Sequence, residues 1–197
     1  MNVSNMTAQP TLVDTVWNAD NKVLRNVALA VVGSLALWVS AKIQVPFYPV
    51  PMTMQTFMVL VIGMAFGWRL GAATVLLYLA EGALGLPVFA NSPERGIGLA
   101  YMVGPTGGYL LGFVVSAVVV GFLGQKGWDR NVATTLLAMT IGTGIIFGFG
   151  LLWLGSVIGW DEPILQLGMY PFLPGAAFKI VLAAAVLPMA WRFLKRG

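Results

Sequence analysis

Long apolar stretches with few charges dominate this chain and constrain its fold more than any other feature. Of its 197 residues, 58% are hydrophobic and 9% are charged, whereas soluble domains have roughly 45–50% apolar and about 25% charged residues. Helices of this composition are stable in the hydrocarbon core of a bilayer, because a helix satisfies its own backbone hydrogen bonds there. We therefore predict an all-α integral membrane protein, with too little remaining chain for a soluble catalytic domain.

Six apolar runs, separated by polar loops that contain Gly or Pro, are each interpreted as a transmembrane helix. They are Leu24–Val45, Met54–Phe66, Trp68–Leu86, Gly107–Gly124, Val132–Ile158 and Phe172–Leu194. Residues 1–20 are predicted to be a polar N-terminal arm, and residues 21–197 a single membrane domain of six helices.

The short second run and the segment before it are the first indication of a binding site. About 13 residues reach only about 20 Å as a helix, short of a hydrocarbon core of about 30 Å. Pro46, Pro49 and Pro51 prevent a regular helix in the preceding segment, because proline lacks an N–H donor. We predict that this segment dips into the protein, where irregular backbone is tolerated only if it is buried or lines a cavity.

Basic residues indicate how the chain is oriented, because cytoplasmic loops of membrane proteins carry an excess of Lys and Arg. In a six-span arrangement most of the basic residues lie on one side, which predicts that both termini are cytoplasmic. The net charge of +4 follows from this bias and needs no nucleic-acid partner. The basic residues on that side are Lys22, Arg25, Arg69, Lys126, Arg130, Arg192, Lys195 and Arg196.

Several kinds of chemistry are missing from the sequence. His and Cys are absent, which removes the commonest metal ligand and the thiol nucleophile. The segment Gly104–Gly108 lacks the lysine of a phosphate-binding loop. We therefore predict no enzymatic activity, no catalytic residue, no metal site and no cofactor.

Two charged side chains interrupt the apolar runs. Lys179 lies near the start of the sixth run, where an ammonium either marks a site or extends to the membrane surface as an anchor. Glu81 shares one helical face with Thr74 and Tyr78. Its carboxylate either contacts a ligand, pairs with a cation, or bonds the neighbouring loop.

Three further polar residues lie on the predicted outer side. Asn91 and Arg95 belong to the loop after the third run, and Arg95 either clamps a carboxylate or pairs with the adjacent Glu94. Gln55, at the start of the second run, is either a satisfied helix-end group or a donor into a cavity.

Small residues recur four positions apart in several runs, a spacing that lets membrane helices approach closely. On the first run these pairs are Ala30 with Ser34, and Ala36 with Ser40. Such pairs usually pack inside a bundle, and the alternative is a face that docks another membrane subunit.

Four segments, in chain order, resemble the BioY family. They are Pro49–Thr56, Tyr78–Ala90, Gly104–Phe113 and Pro174–Lys179. Members of this family are the substrate-capture (S) components of energy-coupling-factor (ECF) vitamin transporters. The resemblance implies a bacterial cell-membrane protein with a six-helix S-component fold, and an outer pocket that the loops after helices one, three and five cap.

The resemblance also implies what the chain binds. Biotin is the expected ligand, and the expected partners are a transmembrane coupling subunit and ATPase subunits, which contact the small-residue face of the first helix. Because some family members work without those partners, the alternative is a self-sufficient secondary transporter for biotin or another vitamin. The residues expected at the biotin site are Lys179, Arg95, Asn91, Glu81, Gln55, Tyr48, Phe47, Phe89 and Tyr78.

One position departs from the pattern of the family. Relatives often carry Pro-Gly-Asp-x-x-Lys before the sixth helix, and Ala176 stands here at the position of the aspartate. A hydrogen bond from that aspartate to the ureido ring of biotin must then be lost or supplied elsewhere. We expect Glu81 to supply it.

Overall fold

Helices make up most of the chain in the computed structural model, which describes residues 9–45, 52–94 and 96–194. Two short antiparallel strands, β1 (Gln44–Val45) and β2 (Met52–Thr53), precede α3. This confirms the predicted all-α class, with one small two-stranded addition. The helices are α1 (Leu12–Val16), α2 (Lys22–Lys42), α3 (Gln55–Ala83), α4 (Gly98–Met102), α5 (Gly107–Gln125), α6 (Val132–Ile158), α7 (Ile164–Gly168) and α8 (Leu173–Leu194).

The long helices have the length and composition of membrane spans. Within the described ranges, five helical stretches are long and apolar enough to cross a bilayer. They are Lys22–Lys42, Gln55–Ala83, Gly107–Gln125, Val132–Ile158 and Ile164–Leu194. Together they make this a multi-pass membrane protein, in which the predicted second and third runs share α3.

Helix α3 folds back on itself at Gly67. This glycine has φ 80° and ψ 169°, a conformation that residues with a β-carbon rarely adopt. A β-carbon on Gly71 would lie 2.9 Å from the Cα atom of Gly63, although eight residues of straight helix span about 12 Å. The two halves of α3 therefore run antiparallel to each other.

Helix α5 lies between α3 and α6 and approaches both closely through glycines. A β-carbon on Gly121 would lie 2.5 Å from the backbone nitrogen of Trp68. One on Gly112 would lie 2.9 Å from the Cα atom of Ile146 in α6. By contrast, no atom of a described residue lies within 4 Å of the corresponding position on Gly144, so this small residue of α6 faces away from the described part of the chain.

The N-terminal arm is attached to one end of the bundle from residue 9 onward. The Asp14 carboxylate pairs with Arg25 at 2.8 Å and accepts a hydrogen bond from Thr11, which caps α1. Burial raises the pKa of Asp14, but the hydrogen bonds from Thr11 and the guanidinium of Arg25 outweigh it, so the pKa lies below its ordinary value. The backbone N–H of Gln9 also donates to the carbonyl of Gln125 at 2.9 Å.

The same end of the bundle joins the loop after α5 to the end of α8. Trp191 Nε1 donates to Asp129 Oδ2 at 2.5 Å, and Asp129 is 1% exposed. Burial raises the pKa of Asp129, despite the opposing effects of the Trp191 hydrogen bond and the nearby Arg130. We call this end, where residues 9–25, the Gly67 turn, residues 125–131 and the end of α8 meet, the basic end. The opposite end, which residues 42–45, 52–55, 84–94, 96–106 and 159–175 form, is the cavity end.

Candidate ligand-binding site

A cavity of about 470 Å³ opens at the cavity end, between α3, α5, α6 and α8. Its wall is mostly apolar with a few polar side chains, which is the usual make-up of small-molecule sites. The polar lining residues are Gln44, Thr53, Gln55, Thr56, Asn91, Tyr101, Thr106, Tyr109, Thr143 and Lys179. A more open groove of about 460 Å³ between α6 and α7 has one charged lining residue, Glu162, which is exposed.

Lys179 brings a buried ammonium to this cavity from the second turn of α8. The residue is 8% exposed, and its Nζ donates to the hydroxyl of Thr56 at 2.8 Å. Within the described ranges, no carboxylate lies within ion-pair distance of Nζ. A buried charge that is left without a counter-ion is costly, so this position favours an anionic group.

Gln55 and Tyr78 form a buried chain of hydrogen bonds beside the cavity. Gln55 Nε2 donates to the hydroxyl of Tyr78 at 2.8 Å. That hydroxyl in turn donates to the carbonyl of Val88 at 2.8 Å. Gln55 lines the cavity, whereas Tyr78 lies behind Gln55 and is 0% exposed.

The loop after α3 is held by a lysine from α2. Lys42 Nζ donates to the carbonyls of Phe89 and Ser92 at 3.0 and 2.6 Å, and to the Ser92 hydroxyl at 3.1 Å. Asn91 lies inside this loop, has φ 55°, and lines the cavity. Gln44 Nε2 donates to its side-chain oxygen at 3.3 Å.

Phe89 supports the cavity wall from behind and does not line it. Its ring is 0% exposed and stacks on Tyr101 at 4.8 Å between ring centroids. It also meets Tyr78 edge-on at 5.6 Å, and a β-carbon on Gly82 would collide with it. Tyr101 lines the cavity and donates to the carbonyl of Ala90 at 2.9 Å.

Glu81 is placed away from the cavity, between α3 and α2. Its carboxylate accepts a hydrogen bond from Ser34 at 2.9 Å and so joins α3 to α2. It is not among the residues that line the cavity, whereas Ala176 is. In this arrangement the carboxylate of Glu81 faces α2, and its expected role in place of an aspartate at position 176 stays a prediction.

Two of the four small residues expected on the partner face of α2 lie on its inward side. Ser34 is 0% exposed and Ser40 is 2% exposed, because both lie on the inward side of α2. Ala30 and Ala36 are half-buried. The side that α2 leaves uncovered consists of large apolar residues, namely Val23, Leu24, Val27, Val31, Val32, Leu35, Trp38 and Val39.

A sequence model of the BioY family matches residues 6–196, nearly the whole chain. The chain belongs to the BioY family. The match confirms the resemblance noted from the sequence segments.

Curated members of the BioY family support this assignment. The chain is 37% identical to the biotin transporter BioY of Thermotoga maritima over 81% of its own length and 87% of that protein. It is 38% identical to the biotin transporter BioY of Rhodobacter capsulatus over 82% and 90% of the two chains. With the biotin transporter BioY of Rhizobium etli, the identity is 37% over 76% and 82%.

A solved structure shares the fold. The crystal structure of the S-component for biotin from an ECF-type ABC transporter matches this chain with a TM-score of 0.72. The match covers 92% of this chain and 96% of the other at 22% sequence identity. This BioY-family chain therefore has the fold of that S-component.

The structure brings together some of the residues predicted for the site. Lys179, Gln55 and Asn91 line one cavity, and Tyr78 and Phe89 lie directly behind its wall. Phe47, Tyr48 and Arg95 lie outside the described residues, as does the segment 46–51 that we predicted to dip into the protein.

Other cavity residues of this BioY-family chain were not predicted. Thr56 follows Gln55 directly, and no sequence pattern indicated that it contacts Lys179. Tyr109 follows the Gly104–Gly108 segment, and its hydroxyl donates to the carbonyl of Gly168 at 2.7 Å. The feature that could have identified Tyr109 in the sequence is a polar aromatic side chain at the start of an apolar run. The apolar lining of the cavity includes Leu60, Leu110, Phe113, Ile146, Phe147 and Phe172.

Proposed function

We propose that this chain is the biotin-binding S component of an ECF-type vitamin importer. The BioY relatives are named biotin transporters, and the solved structure that shares its fold is an S-component for biotin. The observation that carries the proposal is the buried, largely apolar cavity with the Lys179 ammonium in its wall. Its volume of about 470 Å³ lies in the usual range for small-molecule sites.

The chemistry of biotin matches this wall. We propose that Lys179 is the counter-ion of the biotin carboxylate, because its ammonium contacts one neutral hydroxyl, that of Thr56. The thioether ring and the aliphatic chain would pack on aromatic residues such as Phe113 and Phe147. Gln55 and Asn91 offer polar groups for the ureido ring. Binding then involves desolvation and hydrogen bonding, with no covalent step.

We further propose that the bundle crosses the membrane six times. The halves of α3 run antiparallel and each connects the cavity end to the basic end, as do α2, α5, α6 and α8. The basic end would face the cytoplasm, since it carries Lys22, Arg25, Arg69, Lys126, Arg130 and Arg192. The cavity would then open outward, with the loops after the first, third and fifth crossings as its cap.

Energy for transport would come from other subunits. We propose a transmembrane coupling subunit and ATPase subunits as partners, and the uncovered apolar side of α2 offers them a contact surface within the membrane. A self-sufficient carrier driven by protons would need a titratable pair in the cavity, such as a carboxylate beside Lys179. Among the described lining residues, the cavity has no carboxylate.

Equilibrium binding to detergent-purified protein tests the proposal. Biotin is expected to bind at least a hundredfold more tightly than thiamine or riboflavin, measured by isothermal titration calorimetry in the same buffer. Equal affinity for the three vitamins would exclude the assignment of biotin. Uptake in cells with and without the genes for the coupling subunit and ATPases then separates an S component from a self-sufficient carrier.

A further inference from the structure

The orientation of the Gln55 carboxamide follows from its neighbours. A tyrosine hydroxyl has one proton to donate, and Tyr78 donates it to the carbonyl of Val88 at 2.8 Å. The hydroxyl oxygen must therefore accept its other hydrogen bond, so the atom of Gln55 that lies 2.8 Å away is the nitrogen. A flipped carboxamide would place two acceptor oxygens in contact inside a buried wall.

This orientation leaves the carboxamide oxygen for the cavity. Gln55 lines the cavity and is 5% exposed. No described residue donates a hydrogen bond to Oε1, and this oxygen is accessible to solvent. A buried acceptor that stays unpaired is costly, so a ligand that fills the cavity and displaces water must donate to this oxygen.

Two other side-chain acceptors in the wall are already engaged. The Asn91 side-chain oxygen accepts from Gln44, and the Thr56 hydroxyl accepts from Lys179. The described part of the lining contains no aspartate or glutamate, and position 176 is an alanine. The wall thus combines an acceptor of fixed orientation, Gln55 Oε1, with a charged donor, Lys179.

We propose that Gln55 Oε1 recognises an N–H donor of the bound ligand, and that Tyr78 and the Val88 carbonyl hold it in the accepting orientation. The inference rests on the proposed function, in which the ureido ring of biotin supplies that N–H group. Gln55 determines specificity in this assignment, and Tyr78 is a positioning residue that acts through it. A glutamine that only ties α3 to the following loop would stabilise the fold without distinguishing among ligands.

Ligands that lack one ureido proton test the inference. We compare biotin with the two derivatives in which a single ureido nitrogen carries a methyl group. The wild-type protein should bind one of them about tenfold more weakly than biotin, or worse, because Oε1 loses its donor. Q55M keeps the length of the side chain and removes the oxygen, so it should bind biotin and that derivative with equal affinity.

Two further variants separate recognition from structure. Q166M changes an exposed glutamine of α7 that does not line the cavity and should keep the wild-type preference for biotin. Y78F removes the hydroxyl that holds Gln55, so it should reduce the preference, and it should have no further effect in the Q55M background. If Q55M does not fold, as judged by its thermal unfolding without ligand, the comparison of Y78F with the wild type carries the test.

The outcomes are distinct from those of the proposed function. A wild-type protein that binds biotin but keeps its preference after Q55M, or after Y78F where Q55M fails to fold, overturns the inference alone. A wild-type protein that binds biotin no more tightly than thiamine overturns the proposed function instead. Equal affinity of the wild-type protein for biotin and both methylated derivatives also overturns the inference.

Discussion

Lys179 combines burial, charge and a neutral partner, and this combination leads to a prediction about its role. K179Q keeps a donor for the Thr56 hydroxyl and removes the charge. It should weaken biotin binding about 10- to 100-fold, because a hydrogen bond to a charged group contributes about 1.5–3 kcal/mol. The affinity for biotin amide, which has no carboxylate, should change much less. Titration calorimetry with both ligands gives the two ratios.

The control is K126Q, which changes an exposed lysine at the basic end and should leave both affinities at their wild-type values. Equal losses for biotin and its amide in K179Q would exclude a counter-ion role. The result would then assign Lys179 to a neutral part of the ligand, such as the ureido carbonyl.

Residue types could be predicted from the sequence better than residue contacts. Lys179 was a candidate because a charge in an apolar run is rare. The sequence made Gln55 a candidate donor into a cavity. In the structure its N–H group is directed to Tyr78, which leaves its oxygen for the cavity. Tyr78 and Val88, which set this orientation, are distant from Gln55 in the chain. Helical spacing placed Glu81 on a face of its helix, but spacing within one helix carries no information about the partner that Ser34 supplies from another.

At the scale of elements, the clamp between α2 and the loop 88–92 leads to a second prediction. Lys42 Nζ binds three oxygens of that loop, and Asn91 in the same loop lines the cavity. K42M should weaken biotin binding about five- to tenfold, because the loop no longer holds Asn91 in place. K42R should restore part of the affinity, since its guanidinium also donates to carbonyl oxygens.

A double-mutant cycle shows whether Lys42 acts through Asn91. In an N91A background, K42M should cost no further affinity, and the thermal midpoint of the ligand-free K42M protein measures any general loss of stability. Independent, additive losses in the double variant would contradict a positioning role and show that Lys42 of α2 affects binding without acting through Asn91.

The fold-back of α3 leads to a third prediction. Gly121 of α5 faces the backbone of Gly67 and Trp68 where α3 reverses. G121A should destabilise the protein by about 1–3 kcal/mol, because an added methyl group meets backbone atoms that have little room to move. The measurement is the thermal midpoint in detergent without ligand.

G144A is the matched control, because Gly144 also lies within a helix and no described residue has an atom within 4 Å of the position that a β-carbon would take. It should leave the midpoint unchanged or raise it, since alanine favours helix over glycine by about 1 kcal/mol. If both variants lowered the thermal midpoint equally, close packing against α3 would not be the cause of the lost stability. A spacing of four residues alone did not distinguish these glycines in the sequence.

At the scale of the whole molecule, hydropathy could predict the helices because it depends on local composition, and the orientation that the basic residues indicate stays a prediction. Hydropathy separated the two halves of α3, and the structure reverses the chain between them at Gly67. The cavity could be predicted only in outline. Its wall combines residues from segments as distant as Gln44 and Lys179, and such combinations depend on packing that no local pattern contains.

The number of crossings determines on which side of the membrane each loop lies, and this gives the last prediction. The sequence contains no cysteine, so single cysteines can be introduced without altering a native thiol. D20C and K126C lie at the basic end, whereas L99C and D161C lie at the cavity end, and all four positions are exposed. A membrane-impermeant maleimide added to intact cells should label L99C and D161C.

D20C and K126C should react only after the membrane is permeabilised. The contrast between D20C and L99C is decisive for α3. If α3 crossed the membrane once as a straight helix of 29 residues, α2 and α3 would together make two crossings, and positions 20 and 99 would lie on the same side. A helix that reverses at Gly67 makes two crossings itself and places them on opposite sides. Labelling of L99C and D20C under the same conditions would therefore contradict the six-crossing arrangement, whichever side the cytoplasm occupies.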